Sequence, residues 1–150
     1  MYKLISFAGL LTAFVAHANT NADDTTGIFP GDDQWKTGTV SVDSFKDDIF
    51  YWMFESRDAP ATDPLVLWLT GGPGCASEVA LFYENGPYQF NEDGSLRTNP
   101  NSWNEVSNLL YVDQPVGTGF SQGGLHDARS EQEVAADMAV MLRGFLEQNP

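Results

Sequence analysis

Hydrophobic positions in this chain fall into short runs with different spacings. Leu4 to Ala16 is a nearly unbroken apolar stretch with Lys3 before it, and it closes on Ala16-His17-Ala18. A lone basic residue, a short apolar run and a small-x-small end predict a cleaved secretory signal peptide over residues 1–18. The run is short of the roughly 20 residues that a spanning helix needs. Residues 19–36 are polar and rich in Asp, Thr and Gly, and are expected to form an irregular leader. Thr39 to Val42 then alternates polar and apolar, and Ile49 to Glu55 is aromatic and β-prone, so the two are expected to pair as antiparallel strands. Leu65 to Leu69 is apolar at every position, which predicts a strand covered on both faces. Leu109 to Val112 has the same character.

Between those two apolar runs, Ser77 to Tyr83 predicts a short helix, and Asp93-Gly94 predicts a hairpin turn between Tyr88-Gln89-Phe90 and Ser95-Leu96. The last element is the clearest. Ser130 and Glu133 make a capping box, Val134, Met138, Met141, Leu142 and Phe145 recur at helical spacing, and Asn149-Pro150 ends the run. A strand pair, a buried strand, a glycine-rich loop, a second buried strand and an amphipathic helix describe the opening of an α/β sheet. The sheet is expected to be incomplete, with the last strand as an unpaired edge. A small self-contained α+β domain is the alternative.

Composition narrows the function. The 150 residues hold 7 basic and 21 acidic side chains, for a net charge of -14 and a pI near 4.1. Such a surface repels phosphate backbones, so a nucleic-acid partner is excluded. No run after the leader is long enough to span a membrane, so no membrane association is expected once the signal is removed. No Asn-x-Ser/Thr sequon occurs. Cys75 is the one cysteine. In a secreted protein it is either a buried free thiol or half of a disulfide whose partner lies outside this sequence.

Two glycine motifs bear on chemistry. Gly71-Gly72-Pro73-Gly74 directly follows a buried strand, where glycines permit a sharp turn and leave backbone N–H groups open to a ligand. Such a loop can supply an oxyanion-hole donor. Its spacing matches neither phosphate-binding fingerprint. Gly119-Phe120-Ser121-Gln122-Gly123 spells G-x-S-x-G, but a nucleophile elbow lies tightly between a strand and a helix, and Gly123 starts no helix. The one histidine after the leader, His126, is close in sequence with no acid to complete a relay, so Ser121 is rejected as a nucleophile. One Cys and one His exclude a metal site of ordinary spacing. Glu84, at the end of the short helix, is either a solvated acid or a carboxyl that donates a hydrogen bond to a substrate carboxylate at low pH.

Together these stretches resemble the serine carboxypeptidases, the acid-active family within the α/β-hydrolase fold. The blocks that carry the likeness are Trp68 to Cys75, Glu84-Asn85-Gly86-Pro87, Asn99 to Asn104, and Leu110 to Ser121. The resemblance runs from Gly27 to Pro150 and implies an incomplete α/β-hydrolase fold, with residues 19–150 as the N-terminal part of the domain. It implies that the Gly72 N–H contributes to the oxyanion hole, with a second amide from the residue after the catalytic serine. It implies that Thr70, Gly71 and Glu84 bind the C-terminal carboxylate of a peptide, Glu84 pairing with a glutamate just before the nucleophile. The family's Gly-Glu-Ser-Tyr-Ala-Gly elbow, its Asp and His, and the disulfide partner of Cys75 all belong downstream of this sequence.

Relatives usually carry Asn at the Thr70 position and Ser at the Ala76 position. Threonine has one hydroxyl donor where the amide has two N–H donors, which alters carboxylate recognition. The resemblance implies an enzyme of the secretory pathway, vacuolar, lysosomal or extracellular. Its substrates are the C termini of peptides or proteins, it needs no cofactor, and it works through an acyl-enzyme. These 150 residues alone are expected to be inactive. The alternative is a secreted pseudoenzyme that binds peptide C termini.

Overall fold

A computed structural model describes residues 27–42, 47–123 and 130–150. The signal peptide expected over residues 1–18, residues 19–26 of the leader, and His126 lie outside the described residues.

Strands β1 (Trp35–Ser41) and β2 (Asp48–Phe54) pair antiparallel, with Trp35 opposite Phe54 and Ser41 opposite Asp48. β1 begins at Trp35, inside the stretch expected to be irregular. The reason is tertiary: the Trp35 ring packs 5.6 Å from Phe29 and 5.5 Å from Trp52, which its polar neighbours in sequence conceal. Strand β3 (Leu65–Trp68) leads into the long connection. That connection holds helix α1 (Glu78–Tyr83), the hairpin β4 (Tyr88–Phe90) and β5 (Leu96–Thr98), and a 3-10 turn at Trp103–Glu105. The hairpin turns where expected, with Gly94 at φ 84° and Asp93 accepting from the Ser95 N–H at 2.9 Å. Strand β6 (Asn108–Val112) returns to the sheet.

The sheet order is β1-β2-β6-β3, with β6 antiparallel to β2 and parallel to β3. This corrects two expectations. β6 is interior and buried at all five positions, whereas β3 is an edge with Leu65 41% exposed. An unbroken apolar run reports a need for burial. Which strand lies inside is decided by the crossover that returns β6 between β2 and β3.

Side chains alternate along β6 into two cores. On one face Leu109 and Tyr111 join Phe29, Trp52, Phe54, Ala80, Leu81 and Tyr88, beneath α1 and the hairpin. On the other, Leu110 and Val112 join Val40, Ile49, Tyr51, Met138, Met141 and Phe145, beneath helix α2 (Glu131–Gln148). Ser130 caps α2 as expected, accepting from the Glu133 N–H at 3.3 Å. The sheet is thus covered on both faces, with its loops after β3 and β6 meeting at one end.

Candidate functional site

The chain leaves β3 at Trp68, passes Leu69 and Thr70, and enters Gly71-Gly72-Pro73-Gly74 before α1 begins. Gly74 holds φ 87°, in the left-handed region that favours glycine. The Gly72–Pro73 and Gln114–Pro115 bonds are both cis. These two loops and the first turn of α2 border an open cleft of about 550 Å³, lined by Gly71, Gly72, Pro73, Gln114, Pro115, Ser130, Glu131 and Val134. The glycine backbone is exposed to it, so the N–H groups are sterically open to a ligand.

The loop is tied down through Ser77, which is 1% exposed. Its Oγ donates to the Val112 carbonyl at 2.6 Å and accepts from the Thr70 N–H at 3.2 Å. Its N–H donates to Asp113 Oδ1 at 2.7 Å. Asp113, also 1% exposed, accepts from the Phe120 N–H on Oδ2 at 2.9 Å. Beside Asp113 lies Glu78. Burial, then the Asp113 charge, push the Glu78 carboxyl up to about 8. Burial likewise raises Asp113 above the usual carboxylate range, against the hydrogen bonds it accepts. Sequence reasoning missed this pair. The available signal was an acid ending a fully apolar strand, facing a second acid in the first turn of the helix that packs on it.

Gly71 and Gly72 therefore reach the cleft, whereas Thr70 and Glu84 do not line it. The Thr70 hydroxyl is buried with no hydrogen-bond partner. Glu84 is exposed at the C-terminal cap of α1, its N–H donating to the Ala80 carbonyl at 3.0 Å. Burial first, and the Glu84 charge second, raise the Tyr111 phenol well above its ordinary range. Tyr111 pairs in register with Trp68, two residues before Thr70.

The turn after Glu84 is fixed from several sides. Tyr111 OH donates to Asn85 Oδ1 at 3.1 Å, Ser102 Oγ and the Trp103 N–H donate to the Asn85 carbonyl at 3.1 and 3.0 Å, and Asn99 Nδ2 donates to the Gly86 carbonyl at 2.8 Å. The Asn99-to-Asn104 block is thus a scaffold for the Glu84 turn.

Ser121 is 3% exposed; its Oγ donates to the Asp113 carbonyl at 2.6 Å and accepts from the Phe50 N–H at 2.8 Å. Those bonds occupy the hydroxyl, and the G-x-S-x-G pattern is a turn that pins β6 to β2. Cys75 is exposed and has no disulfide partner within the chain. Among the described residues, no group of three or more His, Cys, Asp or Glu is placed to hold a metal ion, and no helix is long and apolar enough to cross a membrane.

A family model described as serine carboxypeptidase matches residues 29–150. The chain is 52% identical over 104 residues to serine carboxypeptidase S10 family member 1 of Dictyostelium discoideum, covering 68% of this chain and 25% of that protein. It is 40% identical over 143 residues to carboxypeptidase Y homolog A of Talaromyces stipitatus, covering 95% of this chain and 25% of that one. Its structure is similar to that of Kex1(delta)p, a prohormone-processing carboxypeptidase from Saccharomyces cerevisiae. The TM-score is 0.65 at 29% identity, over 79% of this chain and 29% of the other. The chain therefore spans between a quarter and three tenths of the length of these three proteins.

Proposed function

This chain belongs to the serine carboxypeptidase family, and on that premise we propose that it forms the N-terminal part of a secretory-pathway enzyme that releases C-terminal amino acids from peptides through an acyl-enzyme. Its sheet is the opening of an α/β-hydrolase fold. In this reading the Gly72 N–H donates to the oxyanion that forms when a serine attacks the scissile carbonyl. Preorganised backbone donors suit that task because they need no reorganisation as charge develops. Thr70, Gly71 and Glu84 receive the substrate's terminal carboxylate, with the buried Thr70 hydroxyl as a donor that has no partner within the chain.

The observation that carries the reading is the exposed Gly71-Gly72 backbone on an open cleft of about 550 Å³ at the C-terminal end of a strand in a mixed sheet. No serine–histidine–acid relay exists among the described residues: Ser121 is occupied, and His17 and His126 lie outside them. The 150 residues by themselves are therefore expected to be inactive.

The test is a chimera. Residues 29–150 replace the matching segment of the Talaromyces homolog, which contributes the rest of its chain. Release of the last amino acid from an N-blocked dipeptide, with the C-terminally amidated dipeptide spared, is the expected result. A folded chimera that cleaves neither would overturn the assignment. Thr70→Asn in that chimera is expected to lower KM for the free-carboxylate substrate several-fold, because the amide adds a donor.

A further inference from the structure

We propose that Arg57 is a positioning residue for the terminal-carboxylate site: anchored on Asp33, it fixes the segment that seats the turn after Glu84. Its guanidinium forks onto Asp33, with Nε donating to Oδ1 at 2.7 Å and Nη2 to Oδ2 at 2.8 Å. A bidentate pair fixes orientation as well as distance. The Asp33 side chain is 3% exposed and also accepts from Asn104 Nδ2 at 2.9 Å. With that edge committed, the guanidinium turns Nη1 toward the Asn99 carbonyl at 3.2 Å and Glu105 Oε1 at 2.5 Å. The Arg57 N–H donates to the Asn104 carbonyl at 2.8 Å. Both ends of the Asn99-to-Glu105 segment are thereby held by one residue.

That segment in turn carries the chain that leaves Glu84. The Asn85 carbonyl accepts from Ser102 Oγ and the Trp103 N–H, and the Gly86 carbonyl accepts from Asn99 Nδ2. The Pro87 carbonyl accepts from the Asn99 N–H at 2.7 Å, and Arg57 Nη2 reaches it at 3.5 Å. The three residues after Glu84 therefore all rest on this block, and the block rests on Arg57. On its other side Glu84 is tied to α1 through its own N–H. A group that must meet a substrate terminus tolerates little displacement, since a shift of about 1 Å can cost on the order of 100-fold. Lysine offers a point charge in place of the planar fork, so it cannot hold both Asp33 oxygens and the Asn99 carbonyl together.

The bearing on substrate rests on the proposed function above; the hold on the turn does not. In the chimera, Arg57→Lys is expected to raise KM for the N-blocked dipeptide about tenfold and to leave kcat within about twofold, as lost binding does. The kcat is counted per site labelled by a serine-directed phosphonate. An N-blocked amino-acid ester, whose leaving group has no carboxylate, is expected to be hydrolysed as before. Ser102→Ala leaves Arg57 in place and removes one bond to Asn85, and is expected to raise KM in the same way by about threefold. An unchanged KM in folded Arg57→Lys enzyme would overturn the proposal, as would ester hydrolysis that falls in step with dipeptide cleavage. Should Arg57→Lys not fold, Ser102→Ala decides by the same two readings. An unsubstituted chimera that cleaves neither substrate faults the functional reading instead. Amide NMR of the 150-residue chain then decides the hold: shifts at Asn85, Gly86 and Trp103 in Arg57→Lys, or in Ser102→Ala if the first does not fold, sustain it, and unmoved amides overturn it.

Discussion

Ser121 and Ser77 show how far a side chain's meaning depends on what surrounds it. Ser121 stands in a motif that spells a nucleophile, yet both its bonds are to backbone. Ser121→Ala strands the Phe50 N–H and is expected to cost about 1–3 kcal/mol. Urea unfolding measures that loss, and an ester-hydrolysis assay on the variant chimera should show full activity per folded molecule. Gly119→Ala is expected to be worse. Gly119 sits at φ 54°, and a Cβ there runs into Asp113 Oδ2. The backbone alone costs about 1–3 kcal/mol in that region, and displacing Asp113 frees both N–H groups it holds. A soluble Gly119→Ala chain with unchanged urea midpoint would contradict this geometry. At this scale the sequence singled out the Gly71-to-Gly74 loop by its place after a strand, and set Ser121 aside because no helix follows it closely and no relay stands beside it. It did not reveal Ser77 or the Glu78–Asp113 pair, because their partners come from strands distant in sequence.

Among the elements, α2 was the most legible, since capping and periodicity are both local. Phe145 is 1% exposed and meets Tyr51 edge-on at 4.9 Å. Phe145→Ala is expected to cost about 3–5 kcal/mol, and Ser130→Ala about 1 kcal/mol through the lost cap. Equilibrium denaturation of the two variants should rank them in that order. β3 and β6 were legible as strands and illegible in rank. Both are short and apolar, and only the crossover through α1 and the hairpin puts β6 inside. The edge left at β3, with Leu65 and Leu69 each 41% exposed, flanks the glycine loop.

For the whole molecule, two buried acidic sites set opposite limits on stability. Burial pulls Asp33 upward, but hydrogen bonds from Arg57 and Asn104, together with the Arg57 charge, hold its carboxyl below the ordinary range. Arg57 grips it with Nε at 2.7 Å and Nη2 at 2.8 Å. That contribution is present above the ordinary carboxylate value and is lost as pH falls through the depressed one. Glu78 runs the other way. Its folded value is raised, so its contribution is complete below the ordinary 4.5 and is lost as pH climbs through about 8. The thermal midpoint is therefore expected to peak in mildly acid solution and to fall on both sides. Glu78→Gln should flatten the alkaline fall only. Arg57→Leu leaves Asp33, whose side chain is 3% exposed, without its cation, and is expected to cost about 3–5 kcal/mol. Melting curves across pH would refute this assignment if Glu78→Gln altered the acid limb instead.

What the sequence determined by itself is whatever depends on neighbours along the chain. The strands and helices, the cap at Ser130, the turn at Asp93-Gly94 and the open backbone at Gly71-Gly72 belong there, because spacing and conformational preference are local properties. The four blocks that resemble the serine carboxypeptidases carried the family as well. What only the tertiary structure decided is which strand lies inside, that Ser121 is held, and that Glu78 lies beside Asp113. Each depends on contacts between β6 and segments far from it in the chain, and burial and repulsion arise only when those segments meet.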